Sequence, residues 1–549
     1  MRWYSFAHGA CLIFLRMFRI HIRSLITFVV PLPEDYSCLP VNQILYPASH
    51  IPPHTSEIQP SMPRRQLPFF ENVTILDAGA EGKAVARVND MVVFVPFCVP
   101  GDVVDIQVIS KRKSYCEGKA VKFHSYSELR VDPFCEHFGT CGGCRWQNLS
   151  YEQQLKFKQK QIDDHFTRIG KFSYPPILPI LHSPLITGYR NKLEYTFSDR
   201  RWLNADDMAL PDDQRQTNGL GFHIPTMFDR VLDISHCYHQ PEPSNAIRLA
   251  VRDFTLQKGW SFYNPRSHEG LMRNLLIRNT LAGDWMVIVV FAYEAPEEVS
   301  ALMTFLAESF QQITSLIYVI NTKQNDVITD QEMRLWKGES YITEYMDAPV
   351  EGGRRLQFRI GPVSFYQTNP HQAYYLYKTA FDLAGFTGEE LVYDLYCGTG
   401  TITNFVAPYV NKAVGVEYVP SAIDDAHTNS GLNEIGNTVF YAGDLAKVLN
   451  DEFVLQNGRP DVIITDPPRN GMHESVVKQI LHISPQKIVY VSCNPATQAR
   501  DIALMIEKYE VAAVQPVDMF PHTHHVENVV LLTLRQVRLH NSGSGFSDL

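Results

Sequence analysis

One cysteine at the end of an apolar run is the residue of this chain best placed for covalent chemistry. Ile488 to Val491 leads through Ser492 to Cys493-Asn494-Pro495. The apolar run reads as a buried strand, and Pro495 opens a helix behind it. The thiol therefore stands at the carboxyl end of a strand, where open α/β sheets keep their ligand sites. Downstream, Asp518-Met519-Phe520-Pro521-His522-Thr523-His524-His525-Val526-Glu527 supplies a carboxylate suited to proton abstraction. Cys493 reads as a nucleophile and Glu527 as its partner base. The helix start behind Pro495 is expected to lower the thiol pKa. Most lone cysteines are small core hydrophobes, so the weight rests on the motifs around this one.

Leu391-Val392-Tyr393-Asp394-Leu395 is a second buried strand, running into Tyr396-Cys397-Gly398-Thr399-Gly400 and a helix from Thr401. Two glycines let the chain turn tightly and bring backbone against a cofactor. The next strand, from Ala413, ends in Glu417, whose carboxylate can bridge the hydroxyls of a ribose. That placement fits a dinucleotide or S-adenosylmethionine. Pyrophosphate binders usually carry a third glycine, and Thr403 occupies that position, which tips the balance to S-adenosylmethionine. Val462 to Thr465 delivers Asp466-Pro467-Pro468-Arg469 to the same edge. The plainer reading of Asp466 is a proline turn capping a strand. Gln367, in Phe365-Tyr366-Gln367-Thr368-Asn369, can line the pocket, although alone it reads as a helix cap.

Cys135-x5-Cys141-Gly142-Gly143-Cys144 is the other chemical motif. Three thiolates this close can wrap a metal centre, and the glycines let the backbone bend around it. Cys237 is the candidate fourth ligand. A zinc ribbon wants two Cys-x2-Cys knuckles and only one is present, so a [4Fe–4S] cluster is expected. The spacing is not that of a radical enzyme, which makes the cluster structural or substrate-positioning.

The elements that must carry these residues follow from the bulk properties. The chain has 549 residues, 45% of them apolar and 20% charged, with a net charge of −10. Several domains with ample core are expected, and any nucleic-acid contact must come from local basic patches. Ten cysteines in this length point to a reducing cytoplasm rather than a disulfide scaffold. Residues 1–61 differ from the rest. Cys11 to Val30 is apolar but interrupted by Arg16, Arg19, His21 and Arg23, too charged for a membrane span, and prolines follow. This leader is read as no part of the folded protein, with Met62 as the start; a targeting peptide is the other reading.

Residues 69–125 alternate short β runs with turns, including a hairpin at Asn89-Asp90, and suggest an OB-like barrel of about five strands. Lys111, Arg112, Lys113, Lys119 and Lys122, with Tyr115, cluster on its last hairpin and suit a nucleic-acid backbone as well as they suit a solvated loop. Residues 126–359 read as a β-rich central domain holding the cysteine loop, a basic helix (Lys156, Lys158, Lys160, Arg168) that suits a solvated surface at least as well as RNA, and arginines such as Arg190, Arg273 and Arg278 that could hold RNA or serve only surface pairs. Glu351 to Arg355 reads as a hairpin tip. Residues 360–536 alternate strand and helix, a parallel doubly wound sheet, and 537–549 is a tail.

Together these motifs resemble the RNA uracil-5-methyltransferase family, in the branch with a TRAM barrel and a four-cysteine cluster that acts on 23S ribosomal RNA. The resemblance spans about Phe69 to Arg535 and rests on Phe-Tyr-Gln-Thr-Asn, Asp-Leu-Tyr-Cys-Gly-Thr-Gly, Asp-Pro-Pro-Arg, Ser-Cys-Asn-Pro and Asp-Met-Phe-Pro-His-Thr with Glu527. It implies a Rossmann-like α/β methyltransferase domain behind the barrel and the central domain. It implies that Gln367, Tyr396, Glu417 and Asp466 bind S-adenosylmethionine, that Cys493 is the nucleophile and Glu527 the base, and that Cys135, Cys141, Cys144 and Cys237 hold the cluster. Thr401 and Asp444 stand where some relatives carry Asn and are left out of the cofactor set. Carbon 5 of uracil is a poor nucleophile; a thiolate adding at carbon 6 makes it reactive, and a base must then remove the carbon-5 proton. The target base must leave its stack. An amine-directed RNA methyltransferase using Asp466 without a thiol is the runner-up, since Asp-Pro-Pro also resembles the Asp/Asn-Pro-Pro-Tyr loop of such enzymes; here Arg469 replaces the aromatic. An RNA-binding chaperone with a decayed site is the reading from another class. The expected protein is a cytoplasmic monomer with an RNA partner and no membrane segment.

Overall fold

The computed structural model describes residues 67–536, so the expected leader, the start at Met62 and the tail lie outside the described residues. Six short strands open it: Phe69–Thr74, Asp77–Ala78, Lys83–Val88, Met91–Pro96, Val103–Lys111 and Tyr115–Ser125. Alternate residues Ala84, Ala86, Val93, Val95, Val104, Ile106 and Val108 turn inward and form the barrel core. Asn89 and Asp90 both have positive φ, 48° and 62°, as the expected two-residue hairpin demands. The fully buried carboxylate of Asp102 accepts from Val99 N at 2.7 Å and from Arg130 Nη2 at 2.7 Å, fastening the barrel to the segment behind it.

The central domain is a seven-stranded sheet built from Lys192–Ser198, Gly219–Ile224, Met227–Asp233, Met272–Asn279, Trp285–Phe291, Ile313–Ile320 and Arg334–Gly338. One face is covered by its own helices. The other, through Leu276, Met286, Ile288 and Val290, shares a core with Phe358, Leu376 and Val392 of the catalytic segment. A hairpin, Ile342–Met346 with Leu356–Ile360, precedes that segment and turns at the expected tip. It leans on the catalytic domain, where Asn433 and Asn429 accept from Gln357 N at 2.8 Å and Arg359 N at 2.9 Å.

The catalytic sheet holds β1 (Leu391–Leu395), β2 (Lys412–Glu417), β3 (Thr438–Ala442), β4 (Val462–Thr465), β5 (Lys487–Ser492), β6 (Tyr509–Val517) and β7 (Glu527–Leu534), in the order β3-β2-β1-β4-β5-β7-β6. Strands β1 to β5 are parallel, as expected. The all-parallel expectation fails at the end, where β7 runs antiparallel between β5 and β6. The 518–526 connection is too short for the crossover helix that a parallel return requires. Among the described residues no helix is long and apolar enough to cross a membrane.

Helix α1 (Tyr151–His165) was expected to be a basic face, and its cations are instead spent within the protein. Lys156 pairs with Glu152, Lys160 with Asp77 and Asp164, and Arg168 with Asp164. Lys158 is fully buried, 2.6 Å from the equally buried Asp518, and also donates to Phe520 O at 2.9 Å. Tyr151 OH donates to the same carboxylate at 2.8 Å. The helix thus clamps the loop that leads to Glu527. Lys158→Met leaves Asp518 charged and unpaired, so a loss of about 3–5 kcal/mol is expected, read as an earlier denaturant midpoint. The double variant Lys158→Met/Asp518→Leu should recover much of it.

Candidate active site and cysteine chamber

The antiparallel pairing of β5 with β7 sets Ser492 opposite Asn528. One step further, Cys493 leaves β5 next to Glu527, the first residue of β7. Behind them Asn494 caps helix α2 (Pro495–Ala503), accepting from Ala496 N at 3.2 Å, with proline in its first turn as expected. Two buried side chains missed at the sequence level hold this corner. Gln498 donates to Tyr490 O at 2.9 Å and Asn528 O at 3.1 Å, and takes Asn528 Nδ2 at 2.8 Å. Asp501 accepts from Tyr490 OH at 2.7 Å and Met472 N at 2.8 Å. The turn after β4 is tied in as well: Arg469 O accepts from Asn494 Nδ2 at 2.9 Å and Thr497 Oγ1 at 3.3 Å.

The cofactor side is built at the ends of β1, β2 and β4. Tyr396 leaves β1 with φ 66°, a left-handed conformation costly for a tyrosine and typical of functional turns. Gly398 (φ 54°) and Gly400 (φ 73°) complete the turn, and a Cβ on Gly400 would lie 2.9 Å from that of Ala426. The Glu417 carboxylate, at the tip of β2, accepts from Gly398 N at 3.2 Å and Val419 N at 2.9 Å. Gln367 is buried beside Tyr377. Thr399 Oγ1 donates to Phe365 O at 3.3 Å, which brings the exposed ring of Phe365 to this turn. Asp394, fully buried on β1, was passed over although it lies inside the quoted motif. Its Oδ2 accepts from Thr403 Oγ1 at 2.6 Å, and its Oδ1 has no partner.

These carboxyls act on one another. Burial raises Asp394 to about 7, and Glu417 adds to the rise. Burial raises Asp466 to about 7 as well, with Asp394 adding. Glu527 is raised well above its ordinary value by burial and by Asp466, while Arg469 opposes. A sheet edge that crowds acids until they hold protons is an edge that favours a cationic ligand. The expected low thiol pKa is corrected here: burial pushes Cys493 up to about 12, with Glu527 and Asp466 adding and Arg469 opposing. Desolvation and two neighbouring acids outweigh the helix start.

Cys135, Cys141, Cys144 and Cys237 are brought together around one chamber of about 360 Å³. No carboxylate lines it; His137, His223, His236, His239 and Arg190 do. Cys144 Sγ lies 2.9 Å from His239 Nε2 and 3.1 Å from Gln147 Nε2. Among the described residues no three His, Cys, Asp or Glu side chains converge as ligands of a single metal ion. All eight cysteines of the described residues are free. The loop is tied to the Glu527 segment, since Arg145 N and Trp146 N both donate to His522 O, at 2.9 and 3.1 Å.

Lys111, Arg112, Lys113, Lys119 and Lys122 are exposed on the barrel hairpin, with no ion-pair partner among the described residues. Arg273 and Arg278, read as RNA candidates, are structural. Arg273 stacks on Tyr263 at 4.2 Å and donates to Asn321 O at 2.8 Å, and Arg278 donates to Gly361 O at 2.8 Å. Arg190 lies over the Phe520 ring at 5.4 Å, within the Glu527 segment. The triple variant Lys111→Ala/Arg112→Ala/Lys113→Ala is expected to weaken RNA binding and to flatten its salt dependence. At roughly 0.7 per lost phosphate contact, the slope of log affinity against log salt should fall by about 2 in filter-binding titrations.

The sequence model described as tRNA (Uracil-5-)-methyltransferase matches residues 277–535, and that of the TRAM domain matches 71–121. An RNA methyltransferase of Bacteroides thetaiotaomicron is 55% identical over 459 residues, 83% of this chain and 100% of the relative. One from Porphyromonas gingivalis is 52% identical, over 83% and 98%. One from Chlorobaculum tepidum is 37% identical, over 87% and 98%. Among solved structures, the Pyrococcus abyssi tRNA (uracil-54, C5)-methyltransferase in complex with S-adenosyl-L-homocysteine superposes with a TM-score of 0.64 at 27% identity, over 84% of this chain and 100% of that one. A strand-end acid and glycine turn of this kind, matched through the catalytic half and aligned end to end with RNA methyltransferases, leave one conclusion: the chain belongs to the S-adenosylmethionine-dependent RNA (uracil-5-)-methyltransferases.

Proposed function

We propose that this enzyme methylates carbon 5 of a uridine in 23S ribosomal RNA through a covalent bond between Cys493 and the base. The observation that supports the mechanism is the register of β5 and β7, whose last pair, Ser492 with Asn528, leaves the thiol of Cys493 next to the buried carboxyl of Glu527. Cys493 gives up its thiol proton to solvent, its sulfur bonds to carbon 6, and the ring electrons move to leave carbon 5 nucleophilic; the proton returns when the thiolate is released. When bound, S-adenosylmethionine would supply the electrophilic methyl to carbon 5, its sulfur–methyl bond breaking to leave S-adenosylhomocysteine, and would bring a positive charge to the acidic edge. Glu527 takes the carbon-5 proton, the electron pair re-forms the 5,6 double bond, and the sulfur–carbon bond breaks. The methyl has then replaced one proton. In this reading Glu417 holds the ribose hydroxyls, and Gln367, Tyr396 and Asp466 complete the donor site. Arg145, Arg190 and Arg469, grouped around Phe520 to His525, meet the phosphates beside the extruded uridine.

The four thiols are proposed to hold a [4Fe–4S] cluster. In such a cluster each thiolate binds its own iron, so the sulfurs stand further apart than around one ion. A chamber lined by four thiols and no carboxylate suits it. When bound it would cross-link the 135–144 loop to the 237 turn. Eight free thiols among the described residues suit a cytoplasmic protein, acting as a monomer.

The 27%-identical neighbour, a tRNA (uracil-54, C5)-methyltransferase, favours a second substrate reading. Both are tested by offering anaerobically purified protein and S-adenosylmethionine either a 23S fragment or a tRNA transcript carrying 5-fluorouridine. Fluorine cannot be removed as a proton, so a denaturation-resistant adduct at Cys493 is expected with the 23S fragment. An adduct with tRNA alone moves the substrate to tRNA. Methylation of ordinary RNA with no adduct from either discards the thiol mechanism for the amine-directed one.

A further inference from the structure

Arg248 is a buried cation without an anion. Its side chain is 0% exposed in the core of the central domain. It lies on the helix Ser244–Gln257. Its guanidinium donates to two backbone carbonyls, Leu220 O at 3.3 Å and Ser235 O at 3.1 Å, and lies 5.6 Å from the centre of the Tyr195 ring. Its Nε has no partner, nor has the buried hydroxyl of Tyr195. Among the described residues no carboxylate comes within ion-pair distance. Asp233, the nearby acid, is held instead by Arg252 at 3.2 Å, one turn further along the same helix. Backbone carbonyls and a ring face soften the desolvation of a buried guanidinium but do not neutralise it. An uncompensated charge in that position is strongly unfavourable.

The same helix grips a cysteine. Asn245, in its first turn, accepts from Cys237 N at 2.8 Å and donates to Cys237 O at 3.1 Å. The positive end of the helix dipole therefore faces Cys237. Ser235, which takes the Arg248 hydrogen bond, is two residues before that cysteine. One helix thus brings a backbone clamp and its N-terminus to Cys237, and a full positive charge to the carbonyl of Ser235, beside the chamber wall formed by Ile234, His236 and Cys237. Arg190 adds a second cation to its lining. Four neutral thiols would leave this arrangement with nothing to balance. Four thiolates on iron carry net negative charge.

We infer that Arg248 is the buried countercharge of an anionic, thiolate-bound iron centre, and that the helix Ser244–Gln257 is the seat on which the centre rests. The inference rests on the cluster reading given above. It places Arg248 outside catalysis. Its charge stabilises the loaded centre, and stabilises the reduced form most, because the added electron raises the negative charge near the guanidinium.

The test uses the full chain purified without oxygen, as wild type, Arg248→Met, Arg248→Gln and Arg248→Lys. Iron and sulfide content, visible absorbance and the midpoint potential are measured, with far-UV circular dichroism as the check on folding. Arg248→Met is expected to lose most of its iron, or to keep it with a potential at least about 59 mV more negative, a tenfold change in a one-electron equilibrium. Arg248→Lys keeps the charge and should stay near the wild type. Should the Met variant not fold, the Gln and Lys pair carries the same comparison, with Gln shifted and Lys not. Wild-type iron content and potential in the uncharged variants overturn the inference alone. Equal losses in Lys and Met variants overturn it too, by showing that packing and not charge is at stake. A wild-type protein that holds no iron removes the cluster reading, and the inference falls with it.

Discussion

Cys493→Ala is expected to lower methyl transfer to RNA by at least about 10⁴-fold, the scale on which removing an enzyme nucleophile acts. The size of the effect follows from the chemistry, because without addition at carbon 6 the ring offers carbon 5 no electron density worth transferring a methyl to. The structural cost should be small. Cys493 is half-buried, lies beyond the last β5 pair, and is not among the groups that fix the corner; Gln498, Asn528 and Asp501 are. Cofactor affinity should therefore survive, since Glu417, Gly398 and Tyr396 stand on other strands. The measurement is incorporation of labelled methyl into RNA beside calorimetric titration of S-adenosylmethionine. Cys493→Ser should be nearly as poor, a hydroxyl being the weaker nucleophile. A variant without the thiol that kept a tenth of the activity would transfer the reaction to Asp466 and the Asp-Pro-Pro-Arg loop.

What was legible in the sequence was local. The apolar runs of β1, β4 and β5, the Gly398 and Gly400 turn, and Pro495 at the helix start each announce themselves within a few residues, and the edge they build is where the structure has it. The antiparallel β7 was not legible, because strand direction is set by the length of the connection and by which neighbour is free. Charge was the least legible property. Lys158, Arg273 and Arg278 look like solvated or RNA-facing cations in the sequence, yet each is buried against partners far along the chain. The thiol pKa was misjudged for the same reason: Glu527 and Asp466 reach Cys493 only through the fold, and burial acts in the direction opposite to the helix start. Asp394 sits in plain view in its motif, but only its missing hydrogen-bond partner and its raised pKa mark it as part of the acidic edge.

Glu527→Gln separates the two halves of the reaction. The amide keeps the shape of the buried side chain but cannot accept the carbon-5 proton, so methyl transfer should proceed once per enzyme and the cycle should stall with RNA bound to Cys493. Turnover is expected to fall by about 10²–10⁴-fold, the usual worth of a general base. Single-turnover incorporation of methyl should remain close to wild type. The result is read as a slow band on a denaturing gel, formed with ordinary uridine and without fluorine. In the wild type, resolution of the adduct should quicken as pH rises above the ordinary carboxylate range. Burial and Asp466 hold the proton on Glu527 at lower pH, and the base works only after losing it. That pH dependence should vanish from adduct decay in Glu527→Gln. Normal turnover by this variant would assign the proton to another acceptor, and Asp466, which shares the edge and is itself raised to about 7, would be the next residue to replace. Loss of both methyl transfer and adduct would place Glu527 before the methyl step, where its carboxyl would orient the base or hold the proton that the thiol gives up.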